Sequence, residues 1–261
     1  MRTHQAWRVF LWLLWRDVYV FRNTFFGKMI DAIIWSVVGI MISGFILPAF
    51  GITQKFGLLV WIGSIVTMGL FEAIYEAQDL VADREGNFHT GYLLTLPIPT
   101  RLVFVKMACS IAFNSIALSI FMFPLGPLVL GNLIDLTYFS FFKCAAMFVL
   151  MNLFFGFFAV WIFSWAKNPT RFSTVRRRLV QPLWLFGGYQ FTWFVFYKTF
   201  PRLAVINLLN PLTYAFEGLR SAVFGPADFL PFWISCCALI FFTGVAAVWA
   251  PVWLKKRLDY V

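Results

Sequence analysis

Charge is scarce in this chain. Only 12% of its 261 residues are Asp, Glu, Lys or Arg, while 61% are hydrophobic, against roughly 25% charged in a soluble domain. Too little polar surface exists to cover a water-soluble globule, so the composition requires an integral membrane protein. Histidine is nearly absent: His4 and His89 are too few and too far apart for a zinc site. The cysteines, Cys109, Cys144, Cys236 and Cys237, fall in apolar stretches without metal-type spacing and read as small apolar fillers. No G-x-x-x-x-G-K-S/T loop, G-x-S-x-G or H-E-x-x-H motif occurs. The chain is therefore expected to carry no catalytic residue, metal or bound cofactor of its own.

What abounds is apolar sequence. About 20 such residues cross the hydrocarbon core, and six runs qualify: 29–50, 56–75, 102–130, 136–165, 179–197 and 230–254. The third contains Pro124 and Pro127, which are expected to kink or end it. With the N-terminus inside, sixteen of the 21 basic residues fall on the cytoplasmic side. That bias predicts both termini in the cytoplasm, with Lys106 near an inner helix end where it can snorkel. The net charge of +10 is then topological, with contact to anionic lipid head groups, and nucleic acid is not an expected partner.

The whole chain, 1–261, reads as a single all-α transmembrane domain with six transmembrane helices and two unusual flanking segments. Residues 1–24 form an amphipathic helix in which Trp7, Phe10, Leu11, Leu14, Val18 and Phe21 share a face, with Arg8, Arg16 and Arg22 elsewhere. Basic residues mixed with Trp and Tyr describe an interfacial helix; the simpler reading is the start of the first span. Residues 198–229 hold Pro201, Asn210-Pro211, Gly218, Gly225 and Pro226, yet stay apolar. A helix over 212–224, about 20 Å long, is too short to span. It is expected to be part of an outer re-entrant hairpin, with Glu217 and Arg220 paired at i, i+3; an outer loop lying on the bilayer is the alternative.

The main polar interruption runs from residue 72 to 106. Glu72, Glu76, Asp79 and Asp83 share one helical face. They could be a solvated helix end, but like charges at that spacing repel by a few tenths of a kcal/mol per pair. A basic partner surface meeting them would make them a docking element.

At these segments the chain resembles the membrane subunit of a type-2 ABC exporter. The string DREGNFHTGYLLTLPIPTRLVFVKM (83–107) resembles that family's coupling region, although Thr90-Gly91-Tyr92 stands where many members have a Glu-rich helix. NLLNPLTYAFEGLRSAVFG (207–225) resembles its Asn-Pro, aromatic, Leu-Arg, Gly segment, and Gln181-Pro182 and Gly187-Gly188 sit where it often has Pro and Gly in span five. The resemblance implies an interfacial N-terminal helix, a cytoplasmic coupling helix between spans two and three (76–101), and a re-entrant hairpin before span six. It implies a homodimer docking two copies of a separate ATPase subunit, which binds ATP and magnesium, in a bacterial inner membrane. Glu72, Glu76, Asp79, Asp83, Arg84, Glu85, Asn87, Leu93, Leu94 and Pro97 would then form the docking surface. Spans one, two and five would line the dimer interface. Asn210, Pro211, Tyr214, Glu217 and Arg220 would shape the outer hairpin.

The cargo is left open among lipid, lipid-linked glycan and amphiphilic small molecule. Tyr189, Phe191 and Trp193 crowd the end of the fifth run and are candidates for a substrate path, although a packed, lipid-facing aromatic belt is the simpler reading. Two other classes compete. An ion-coupled secondary transporter would depend on Asp31 or Glu217. A membrane-embedded lipid-modifying enzyme would need clustered acids, but the Glu72–Asp83 face spreads over about 16 Å.

Overall fold

In lipid every backbone polar group needs an internal partner, which favours helices. The computed structural model describes residues 3–53, 55–86, 99–166 and 168–258, and no strand occurs among the described residues. Helix α1 (Thr3–Met41) runs on through a π turn (Ile42–Ile46) and a last α turn (Leu47–Ala49). Helix α2 (Lys55–Gly86) returns beside it, with Gly44 against Gly57 and Gly39 near Val60. Helix α3 (Thr100–Ser119) rises again and bends through a 3-10 turn (Ile120–Met122) and Pro124 into α4 (Leu125–Leu130). Helix α5 (Phe141–Trp165) descends.

A second π turn (Arg176–Val180) then joins α6 (Pro169–Val175) to α7 (Gln181–Phe186). Three short helices follow, α8 (Trp193–Thr199), α9 (Pro201–Asn207) and α10 (Pro211–Phe224), before the last descent in α11 (Phe232–Leu258). The start of α1, the end of α2, the start of α3 and the end of α11 share one end of the bundle, the basal end. The loops at 50–55, 131–140 and 225–231 mark the distal end.

Helix α5 is the centre. It packs on α2, α3, α10 and α11, and Phe154, Phe155 and Phe163 are fully buried. Gly156 brings α5 against Ala108 and Ala112 of α3, where a Cβ would meet the Ala112 methyl at 3.0 Å; small residues permit such close approach between membrane helices. Both π turns end two residues before a proline, Pro48 and Pro182. Proline lacks the N–H for the carbonyl four residues back and crowds it. The wider turn relieves both, with Leu47 and Gln181 donating to carbonyls five residues back.

Among the described residues, five helical stretches are long and apolar enough to cross a membrane: Arg8–Ala49, Lys55–Ala82, Leu102–Leu130, Phe141–Trp165 and Phe232–Ala250. The expected fifth run, 179–197, is not one helix. It ends at Phe186, turns through Gly187-Gly188 with Gly188 at φ +102°, and restarts at Trp193 with Thr192 capping. The expected separate helix over 1–24 is also corrected, because α1 is unbroken from Thr3 to Met41. No proline interrupts 20–30, and Asp17 and Lys28 tie this stretch to α3 and α2. The expected kink of the third span stands at Pro124.

A Cβ on Gly126 would overlap the Trp61 indole, whose Nε1 donates to the Met122 carbonyl at 3.1 Å. Gly126→Val should therefore destabilise the bundle by roughly 1–3 kcal/mol, read as a lower unfolding temperature in detergent. Unchanged stability would mean that α4 does not pack on α2 as described.

Candidate functional site

The helix break at 187–192 leaves carbonyls without the N–H groups a continuing helix would supply. Such groups are costly inside a bundle. Arg220, on α10 and fully buried, meets them. Its guanidinium donates to Phe191 O and Tyr189 O, both at 2.9 Å, and to Leu59 O of α2 at 3.1 Å. Glu217, one turn earlier and also fully buried, lies 3.6 Å from Arg220. It accepts from Trp193 N and Leu230 N at 3.1 Å each. One buried ion pair thus joins α2, the break, the start of α8 and the loop before α11.

Asn210 and Pro211 start α10. The Asn210 side chain accepts from Leu212 N at 3.0 Å and donates to Leu183 O at 2.7 Å. Asn207 donates to Phe186 O at 2.8 Å, and the Tyr214 hydroxyl donates to Leu208 O at 2.8 Å. Helices α9 and α10 therefore form a hairpin whose tip is tied to α7. Residues 211–223 are all buried, so α10 is a core element rather than a helix lying on a surface.

Tyr189, Phe191 and Trp193 are engaged in this packing. The Tyr189 ring lies on Trp184 at 5.0 Å, the Phe191 ring meets Phe196 at 5.3 Å, and Trp193 stacks on Tyr197 while its Nε1 donates to Ala204 O.

At the basal end, Lys28 of α1 donates to Glu72 at 2.7 Å and Glu76 at 3.1 Å. Glu72 is buried. The repulsion on that helical face is therefore relieved within the chain for these two acids, which corrects the inference that all four await an external basic surface. Lys106 does not snorkel. It is buried and bonded to Asp17, which also accepts from Ser110 at 2.8 Å and Arg16 at 3.0 Å. Asp79 is exposed and lacks an ion-pair partner among the described residues. The side chains of Asp83, Arg84 and Glu85, and residues Asn87, Leu93, Leu94 and Pro97, lie outside the described part of the chain.

Sequence reasoning missed a cleft of about 570 Å³ between α1, α2 and α7. Its walls include Trp35, Phe71, Tyr75 and Trp184, with Asp31 and Asp79 towards the basal end. Phe71 and Trp184 meet edge-to-face at 5.4 Å, and Trp184 Nε1 donates to Thr67 Oγ1 at 2.9 Å. Only the aromatic positions on α1 and α2 signalled it beforehand, and nothing local showed that they converge.

A bundle of membrane-length helices with a helical hairpin whose second helix is buried, and with a lateral cleft, has the build of a membrane transport subunit. A model of the ABC-2 type transporter family matches residues 8–224, and the chain belongs to that family. It is accordingly a transmembrane permease of the ABC transporter class. No curated protein matches it by sequence.

The Arg220–Glu217 pair yields a test. Removing one partner of a buried pair costs roughly 3–5 kcal/mol, so Arg220→Met should lower the unfolding temperature sharply. Adding Glu217→Gln should recover part of that loss, because the carboxylate is no longer left without its cation. Strict additivity of the two losses would show that the pair is not coupled.

Proposed function

We propose that this chain is the membrane half of an ATP-driven exporter, that it forms a homodimer, and that each copy docks a separate ATPase subunit which binds ATP and magnesium. The observation that carries this reading is the family match over 8–224, which takes in the polar insert and the hairpin. Permeases of this family normally work with an ATP-binding subunit, and no nucleotide loop occurs in the sequence. Asn87, Leu93, Leu94 and Pro97, with Asp83, Arg84 and Glu85 beside them, would form the contact that receives the ATPase stroke. Asp79, exposed and in no ion pair among the described residues, extends that surface, whereas Glu72 and Glu76 hold α1 to α2.

Asn210, Pro211, Tyr214, Glu217 and Arg220 hold a hairpin that would close the far side of the path. Both termini would lie in the cytoplasm, in a bacterial inner membrane, by the distribution of basic residues. The cargo class named at this level is lipid, lipid-linked glycan or amphiphilic small molecule. Secondary transport through Glu217 is disfavoured, since that carboxylate is held by Arg220 and two backbone N–H groups.

The test is purification of the tagged chain in mild detergent, followed by mass spectrometry of co-purifying protein. Wild type should bring down an ATPase subunit, and Glu85→Lys and Leu94→Asp should lose most of it while keeping their own unfolding temperature. No ATPase with wild type under lipid-preserving conditions would overturn the exporter reading.

A further inference from the structure

A second cleft, of about 570 Å³, lies at the basal end between α1, α2 and α3. The charges of its wall balance, with Arg16, Lys28 and Lys106 against Asp17, Glu76 and Asp79. They are not evenly spread. Where α1 meets α3, Arg16 and Lys106 both bond to Asp17, so cations are in excess. Where α1 meets α2, Lys28 faces Glu76 with Asp79 beside it, so carboxylates are in excess. The cleft is positive on one side and negative on the other.

Buried hydrogen-bonding capacity in this wall is unused. The Lys106 ammonium carries three donors and is 3% exposed, yet Asp17 is its one acceptor among the described residues. Arg16 commits Nε and Nη2 to the same carboxylate. Asn114, two turns beyond Lys106 and 5% exposed, has a carboxamide oxygen that accepts no hydrogen bond among the described residues. Buried polar groups are ordinarily met, and exceptions call for an explanation. A ligand that supplies acceptors at Lys106 and donors at Asn114 provides one. Lys106 and Asn114 are about 12 Å apart along α3 at ~1.5 Å per residue, a gap that a phosphate, a short amino alcohol and the two side chains' own reach can bridge.

We infer that this cleft holds one phospholipid with a primary-ammonium head group, its phosphodiester at Arg16 and Lys106 and its ammonium towards Asn114, Glu76 and Asp79. The exposed Trp12, Trp15 and Tyr19 of α1 set this level at the bilayer interface, where head groups lie. Towards the distal end the exposed rings of Phe26 and Phe121, joined through Phe25, offer an apolar surface for acyl chains. A net anionic head group brings like charge to Glu76 and Asp79, and a quaternary ammonium has no N–H to donate. The lipid joins α1 to α2 and α3. It requires only a chain in a bilayer and is independent of the exporter reading.

The experiment is native mass spectrometry of the purified, delipidated full-length chain in mild detergent. It is titrated with phosphatidylethanolamine, phosphatidylcholine or phosphatidylglycerol of identical acyl chains. One phosphatidylethanolamine is expected to bind about tenfold more tightly than either other lipid. Arg16→Gln with Asn114→Leu should abolish that preference, while Arg176→Gln, a cation outside the cleft lining, should keep it. Asp79→Lys, at an exposed position where the fold is not at stake, should turn the preference towards phosphatidylglycerol. Added phosphatidylethanolamine should raise the unfolding temperature of wild type and not of the double variant. Equal retention of the three lipids by wild type means annular lipid only and overturns the inference without any variant. A preference that survives both the double variant and Asp79→Lys overturns it as well.

Discussion

A helix broken inside a bundle must have its freed carbonyls met, and here one guanidinium meets them. Arg220 takes the carbonyls of Tyr189 and Phe191 at the break and that of Leu59 on α2. A lysine could not do this, because its three donors radiate from a single nitrogen whereas arginine spreads five across a planar fork. Placing that charge fully inside requires a counter-charge. Glu217 supplies it and spends its remaining acceptor capacity on Trp193 N and Leu230 N. The break, the hairpin of α9 and α10, and the entry to α11 are thus mutually dependent. None can move alone without leaving a buried polar group unmet.

Helix α2 is the element that reaches both functional ends. Near its start, Leu59 receives Arg220; further along, Glu72 and Glu76 receive Lys28; at its end it leads into the polar insert. Its 32 residues span about 48 Å at ~1.5 Å each. Under the exporter reading, a push at the insert travels along one hydrogen-bonded rod rather than through a chain of soft contacts. The aromatic wall lies on that rod too, at Phe71 and Tyr75, between the insert and the hairpin.

The five long apolar helices were legible because burial in lipid writes itself into consecutive residues. Asn210-Pro211 and the Glu217–Arg220 spacing were legible because capping and i, i+3 pairing are local. The division of 179–197 was not, since Gly187-Gly188 lies between Trp184 and Tyr189 and the run stays apolar across the break. The pairing of Glu72 and Glu76 with Lys28 was hidden for a different reason: their partner is 44 and 48 residues away, and a helical wheel shows charges on a face without showing the opposing helix. The cleft combines both difficulties. Its aromatic rings come from three helices far apart in sequence, and no single stretch shows that they converge.

The two charged clusters differ in a way that bears on motion. At the distal hairpin both partners are fully buried, so separating them exposes each to an unmatched interior, a large cost. At the basal end Lys28 retains 30% of its side-chain exposure and Glu76 retains 25%. Both are half-buried, so water can replace the Lys28–Glu76 bridge at a lower cost than it can the fully buried pair. Glu72, at 7%, is the member that favours the closed arrangement. The α1–α2 contact flanking the cleft is therefore the yielding end of the bundle and the hairpin the rigid one.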